Sequence, residues 1–80
     1  MNFREYLGEA EKIYLVKFTR SQLTDEFVSN WIETLNNNDI EVISLGVYNT
    51  NILKVKLIKG SALSLKGAWM VQSIQKYPNN

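Results

Sequence analysis

The chain has 80 residues, 45% of them hydrophobic and 11% aromatic, and nine basic against eight acidic side chains leave a net charge of +1. Those totals describe one small domain with enough apolar material for a core, and they argue against disorder as the default state. With no cysteine and no histidine, the chain has no disulfides, thiolate nucleophiles or histidine acid–base pairs, and nearly all zinc and iron sites are excluded.

What remains open is carboxylate chemistry, and the eight acids show no clustered loop pattern for it. The expectation is therefore a protein without enzymatic activity, catalytic residues, cofactor or metal. No run approaches the roughly 20 apolar residues that cross a bilayer, and Arg4, Glu5, Glu9 and Glu11 interrupt any signal-peptide block. A soluble protein made in a cytosol, with no membrane partner, is expected. The small net charge conceals a segregation. Every acid lies at or before Glu41, so residues 1–41 sum to −4, while residues 42–80 carry five lysines and no acid. Such a half is either neutralised by packing against the other half or meets an anionic partner.

Residues 1–10 form a segment apart from the domain expected over 11–80. Phe3, Tyr6 and Leu7 sit at helical spacing and predict a short amphipathic helix. "KIYLVKFT", Lys12 to Thr19, reads as a strand. Tyr14, Val16 and Phe18 share one of its faces and Ile13 and Leu15 the other, so it is buried on both sides or its second face meets a partner.

"TRSQLTDEFVSNWIETLNNN" is the clearest helix. Ser21 or Thr24 can cap it, and Asp25 and Glu26 place negative charge at the positive end of its dipole. Leu23, Phe27, Val28, Trp31, Ile32 and Leu35 occupy one half of its wheel. Asn36 to Asn38 form its stop, because asparagine tolerates the left-handed backbone of a helix end. That reading outweighs a metal loop at Asn36 to Asp39, which lacks the alternating acids and final glutamate of a calcium site.

"DIEVISLGVYNTNILKVKLIKG" reads as a hairpin turning at Tyr48 to Asn51. Ile43, Leu45 and Val47 alternate with Val42, Ser44 and Gly46, and Leu53, Val55 and Leu57 alternate with Lys54 and Lys56. After Gly60 and Ser61, "SALSLKGAWMVQSIQKY" suggests a second helix, with Ala62, Leu65, Trp69, Met70, Ile74 and Tyr77 on its apolar arc and Gly67 as a weak point. Both tryptophans are assigned to the core.

The expected class is α+β, a β-α-β-β-α domain with two helices on one face of a three-stranded antiparallel or mixed sheet. That is a split β-α-β, partial ferredoxin-like arrangement with "ILKVKLI" as the middle strand. Its other face is left uncovered and carries Ile13, Leu15 and Lys17 beside Lys54 and Lys56. "IYLVKF" in this element order resembles the first strand of RNA-recognition domains. That family stacks bases on aromatics of its first and third strands, and the third strand here has no aromatic. Single-stranded RNA binding is the third reading of function.

The first reading comes from the N-terminus. "NFREYLGEA" resembles the capsid-targeting peptides of tailed phages in the T-even group and their marine and cyanobacterial relatives, with Phe3, Tyr6, Leu7, Glu9 and Ala10 as the matching residues. The resemblance implies cleavage by a prohead protease between Glu9 and Ala10. The passage into "EKIYLVKF" is similar to small marine-phage virion proteins, in which such a peptide precedes a small ferredoxin-like domain.

What this implies is a non-enzymatic phage virion protein, found in the virion or host cytoplasm, that binds the capsid or its scaffold protein. Phe3, Tyr6 and Leu7 would then lie in an apolar groove. Weak contact of Lys54, Lys56 and Lys59 with nucleic acid or an acidic capsid surface is expected beside it. The second reading is a phage-encoded regulator or inhibitor that docks on a host enzyme or nucleic-acid complex through the open sheet face. That face also invites a homodimer.

Overall fold

A computed structural model describes residues 12–78. The expected N-terminal helix, and with it Phe3, Tyr6, Leu7, Glu9 and Ala10, lies outside the described residues. Strand β1 (Ile13–Phe18) leads into helix α1 (Asp25–Asn37), strands β2 (Glu41–Asn49) and β3 (Ile52–Lys59) form a hairpin, and a short helix α2 (Ala62–Lys66) precedes strand β4 (Val71–Tyr77). The sheet order is β2-β3-β1-β4 and every neighbouring pair is antiparallel. The third strand lies between the first and the second, as the expected split β-α-β arrangement has it.

Helix α1 follows its sequence signals closely. Thr24 caps it, its hydroxyl accepting from the Phe27 backbone N–H at 3.1 Å. Phe27, Trp31 and Leu35 are buried four residues apart along one side, with Val28 and Ile32 half-buried beside them. At the far end the Asn38 amide donates to the Thr34 carbonyl at 2.8 Å, and Asp39 takes the left-handed turn at φ 64.

The core lies between this helix and one face of the sheet. Val16 and Phe18 of β1, Leu53, Val55 and Leu57 of β3, Val42 of β2 and Leu65 of α2 complete it. Phe18 is its centre, meeting the Phe27 ring at 5.2 Å and the Trp31 ring at 5.0 Å, both edge to face.

Two expectations are corrected. The sheet has four strands, not three, and the second helix ends at Lys66 instead of running to Tyr77. Ser61 caps this helix, its hydroxyl accepting from the Ser64 N–H, and Gly67 closes it. Met70 then turns the chain at φ 66 into β4, which pairs with the free edge of β1. Ile74 fits the expected helical arc with Met70 and Tyr77, while Val71 lies off it. In fact Phe18 pairs with Val71 while Lys17 pairs with Ser73, so a bulge inserts Gln72 and puts both apolar residues on the core face. Trp69 is correspondingly not a core residue: it sits in the turn, 54% exposed, with its ring tilted against Phe27 at 5.5 Å.

In β2 the simple alternation is also interrupted. The register shifts between Ser44 and Val47, where Gly46 adopts φ 107, and Val42 is the one buried residue of the strand.

Candidate binding face

With both helices on one side, the other side of the sheet carries no second layer among the described residues. Its composition follows from pairing. Tyr14, Val16 and Phe18 share the core face, so Ile13, Leu15 and Lys17 occupy the opposite one. There Ile13 pairs with Lys56, Leu15 with Lys54 and Lys17 with Ile52. The five domain residues singled out from the sequence are thus brought together on the central strand pair. Lys17 is exposed, and Ile13, Leu15, Lys54 and Lys56 are half-buried.

The flanking strands add what the sequence did not reveal. Tyr77 of β4 pairs with Ile13 and therefore lies on this face. Its ring reaches across β1, where the Lys54 ammonium stands 4.1 Å from the ring centroid and the Tyr48 ring of β2 meets it edge-on at 5.9 Å. A tyrosine from each edge strand and a lysine from a central one thus form a band across the sheet. Such a cation over an aromatic face is attracted by the ring quadrupole. Tyr48 is 54% exposed, and Ile43, which pairs with Lys56, is 50% exposed. Ser73 and Gln75, paired with Lys17 and Leu15, give β4 two exposed polar groups on the same side.

The sequence signal for the tyrosines was present but ambiguous. Tyr77 fitted the apolar arc of a helix that does not form there, and Tyr48 fell at the start of the expected turn. A fourth strand in "VQSIQKY" would have been needed to place Tyr77 on the face.

Electrostatically the two sides differ. The described acids are Asp25, Glu26 and Glu33 on α1, Asp39 after it, and Glu41 at the start of β2. Glu41 stands opposite Lys59 in the β2–β3 ladder, and the Lys59 ammonium meets Asp39 at 3.7 Å. Among the described residues no acid lies on the open face, and Lys17, Lys54 and Lys56 do. The open face is thus basic, while the helical side carries the described acids together with Arg20 and Lys66.

Elsewhere the surface offers little chemistry. A cleft of about 350 Å³ between α1 and β2 is lined by Val28, Ile32 and Val47 with Asp25 as its one ionisable group. A smaller cleft, about 230 Å³, surrounds the Asp39–Lys59 pair. Among the described residues no three acidic side chains converge as metal ligands, and no helix is long and apolar enough to cross a membrane. Comparison with protein-family models, with curated proteins and with solved structures finds no match to this chain.

Proposed function

We propose that this chain is a non-enzymatic binding protein of a tailed-phage particle or phage-infected cell, and that its folded domain works through the open face of the sheet. The observation that carries the binding role is that face itself. It exposes apolar and aromatic side chains together with three lysines and no described acid, on the side of the sheet away from both helices. Exposed apolar area rimmed by like charge marks an interaction site more often than a bare surface. The phage assignment is supported by the resemblance of residues 3–10 to capsid-targeting peptides. In this reading Phe3, Tyr6 and Leu7 deliver the protein to the capsid or its scaffold, and cleavage after Glu9 leaves the domain in the particle.

The regulator reading keeps the same face but directs it at a host enzyme or nucleic-acid complex, and the exposed aromatics favour it. Two variants separate the readings. Deletion of residues 1–9 abolishes incorporation into particles if the peptide is the address, and leaves activity intact if the protein is a regulator. Replacing Lys54 and Lys56 by glutamate abolishes partner binding wherever the face is the contact. A native protein absent from particles removes the virion assignment, and a partner complex unaffected by the charge reversal removes the role of the face.

A further inference from the structure

We propose that the open face binds single-stranded nucleic acid, with bases laid on Tyr48 and Tyr77 and phosphates drawn to Lys17, Lys54 and Lys56. This rests on the open face being the working surface and names its ligand class. Three features of the face select that class.

The first is charge. The three lysines on the face have no acidic counterpart there among the described residues, so its occupant is an anion. A second copy of this chain fits poorly, because face-to-face packing sets lysine against lysine and removes those charges from water.

The second is the pair of tyrosines. Aromatic side chains interleaved with cations are the common feature of single-strand binding surfaces, because every base has a π-face and the backbone between bases carries the charge. Here the Lys54 ammonium is already held 4.1 Å from the Tyr77 ring centroid, and the Tyr48 ring centroid lies 5.9 Å from that same ring. A base on a ring and a phosphate on the neighbouring ammonium are bound side by side. The rings come from the edge strands β2 and β4, whereas RNA-recognition domains use the first and third strands. The placement is therefore read from this sheet and not transferred from that family.

The third is shape. The band crosses all four strands, about 14 Å at ordinary strand spacing. A duplex is read by a helix or two-stranded ribbon that enters its groove, and a four-stranded sheet is too broad to do so. Unpaired bases, which splay onto a platform, suit it. Ser73 and Gln75 at the β4 side are placed to hydrogen-bond base edges.

The test is fluorescence anisotropy of the full chain with labelled oligo(dT), oligo(U) and a duplex of equal length, over a range of salt concentrations. The proposal expects tighter binding of one or both single strands than of the duplex. Tyr48→Ala weakens that binding roughly tenfold while Tyr48→Phe retains it. The double variant Lys54→Ala/Lys56→Ala lowers the slope of log affinity against log salt by about 1.4. Tyr48 is exposed, so its variants keep the fold and decide the matter even where Tyr77→Ala unfolds the domain.

Equal affinity for duplex and single strand with no effect of Tyr48→Ala overturns the proposal, as does an absence of binding at low salt or a stable dimer that buries Tyr48. If nucleic acid is not bound but Lys54→Glu/Lys56→Glu still abolishes association with particle or host partner, the ligand class fails and the face stands. If neither is affected, both fail.

Discussion

Trp31 is fully buried, and its indole N–H donates to the Trp69 carbonyl at 3.1 Å. One side chain thus packs in the core beside Phe18 and ties α1 to the turn that launches β4. Trp31→Phe removes the donor, leaves the carbonyl to find water and opens a small void, at a cost of about 2 kcal/mol. For a domain of this size that is a large share of a total near 4–12 kcal/mol, and a lower urea midpoint at an unchanged slope is the expected result.

Two glycines make a second comparison. Gly46 and Gly60 both hold positive φ, at 107° and 110°, so alanine is strained at either. At Gly46 an added Cβ meets nothing within 4 Å, whereas at Gly60 it comes within 3.2 Å of the Ile40 side chain. Gly60→Ala therefore destabilises more than Gly46→Ala, with each costing about 1–3 kcal/mol for the backbone alone. Parallel thermal melts of the two variants check the order. The burial of Trp31 was legible from its place on the α1 wheel. The positive φ at Gly46 was less so: a lone glycine in "SLGVY" hints at a bulge, but its position depends on how two strands pair.

At the scale of elements, α1 owes its start to the Thr24 cap and to the acids that follow it. Asp25 and Glu26 complement the dipole at the first turn, and the last turn has no basic residue. Thr24→Ala removes the acceptor for the Phe27 N–H and costs about 1 kcal/mol. Thr24→Asp restores most of that loss, and the two variants compared by denaturant titration separate capping from any other role of the threonine.

The helix was legible because cap, wheel and stop agree over thirteen residues. The last third of the chain was not, for a physical reason. Met70, Ile74 and Tyr77 recur at helical spacing, while Val71, Ile74 and Tyr77 also suit a strand with one inserted residue whose last member faces the other way. The choice is made by tertiary pairing. Without β4, β1 would keep a bare edge of unpaired N–H and C=O groups beside the core, and Gly67 weakens the competing helix. That misreading also hid the part of Tyr77 in the candidate site, since it reaches the open face only as a strand residue.

Across the whole molecule, the described acids and the exposed apolar sheet face lie apart. The described acids sit on α1 and the segment leading into β2, while the open face combines Ile13, Leu15, Ile43, Tyr48 and Tyr77 with three lysines. The halves of opposite charge, and the lysines beside Ile13 and Leu15 on the open face, were legible in the sequence, but not the tyrosines brought there from β2 and β4, which depend on strand register. An apolar sheet face of this kind is a template for self-association, and charged side chains standing on it are an effective deterrent. Each lysine lies beside an apolar partner, Lys56 by Ile13, Lys54 by Leu15 and Lys17 by Ile52. Two copies brought face to face would confine six ammonium groups with no described acid to compensate them.

The free protein is accordingly expected to stay monomeric at low salt. Screening shortens the reach of that repulsion, so self-association should rise with ionic strength. The triple variant Lys17→Gln/Lys54→Gln/Lys56→Gln, which keeps long polar side chains but removes their charge, should associate at every salt concentration. Sedimentation of both proteins across a salt series measures this directly. A wild-type dimer at low salt that the glutamine variant leaves unchanged would mean that the contact lies elsewhere, with the exposed Leu63 and Trp69 of the helical side as the next surface to substitute.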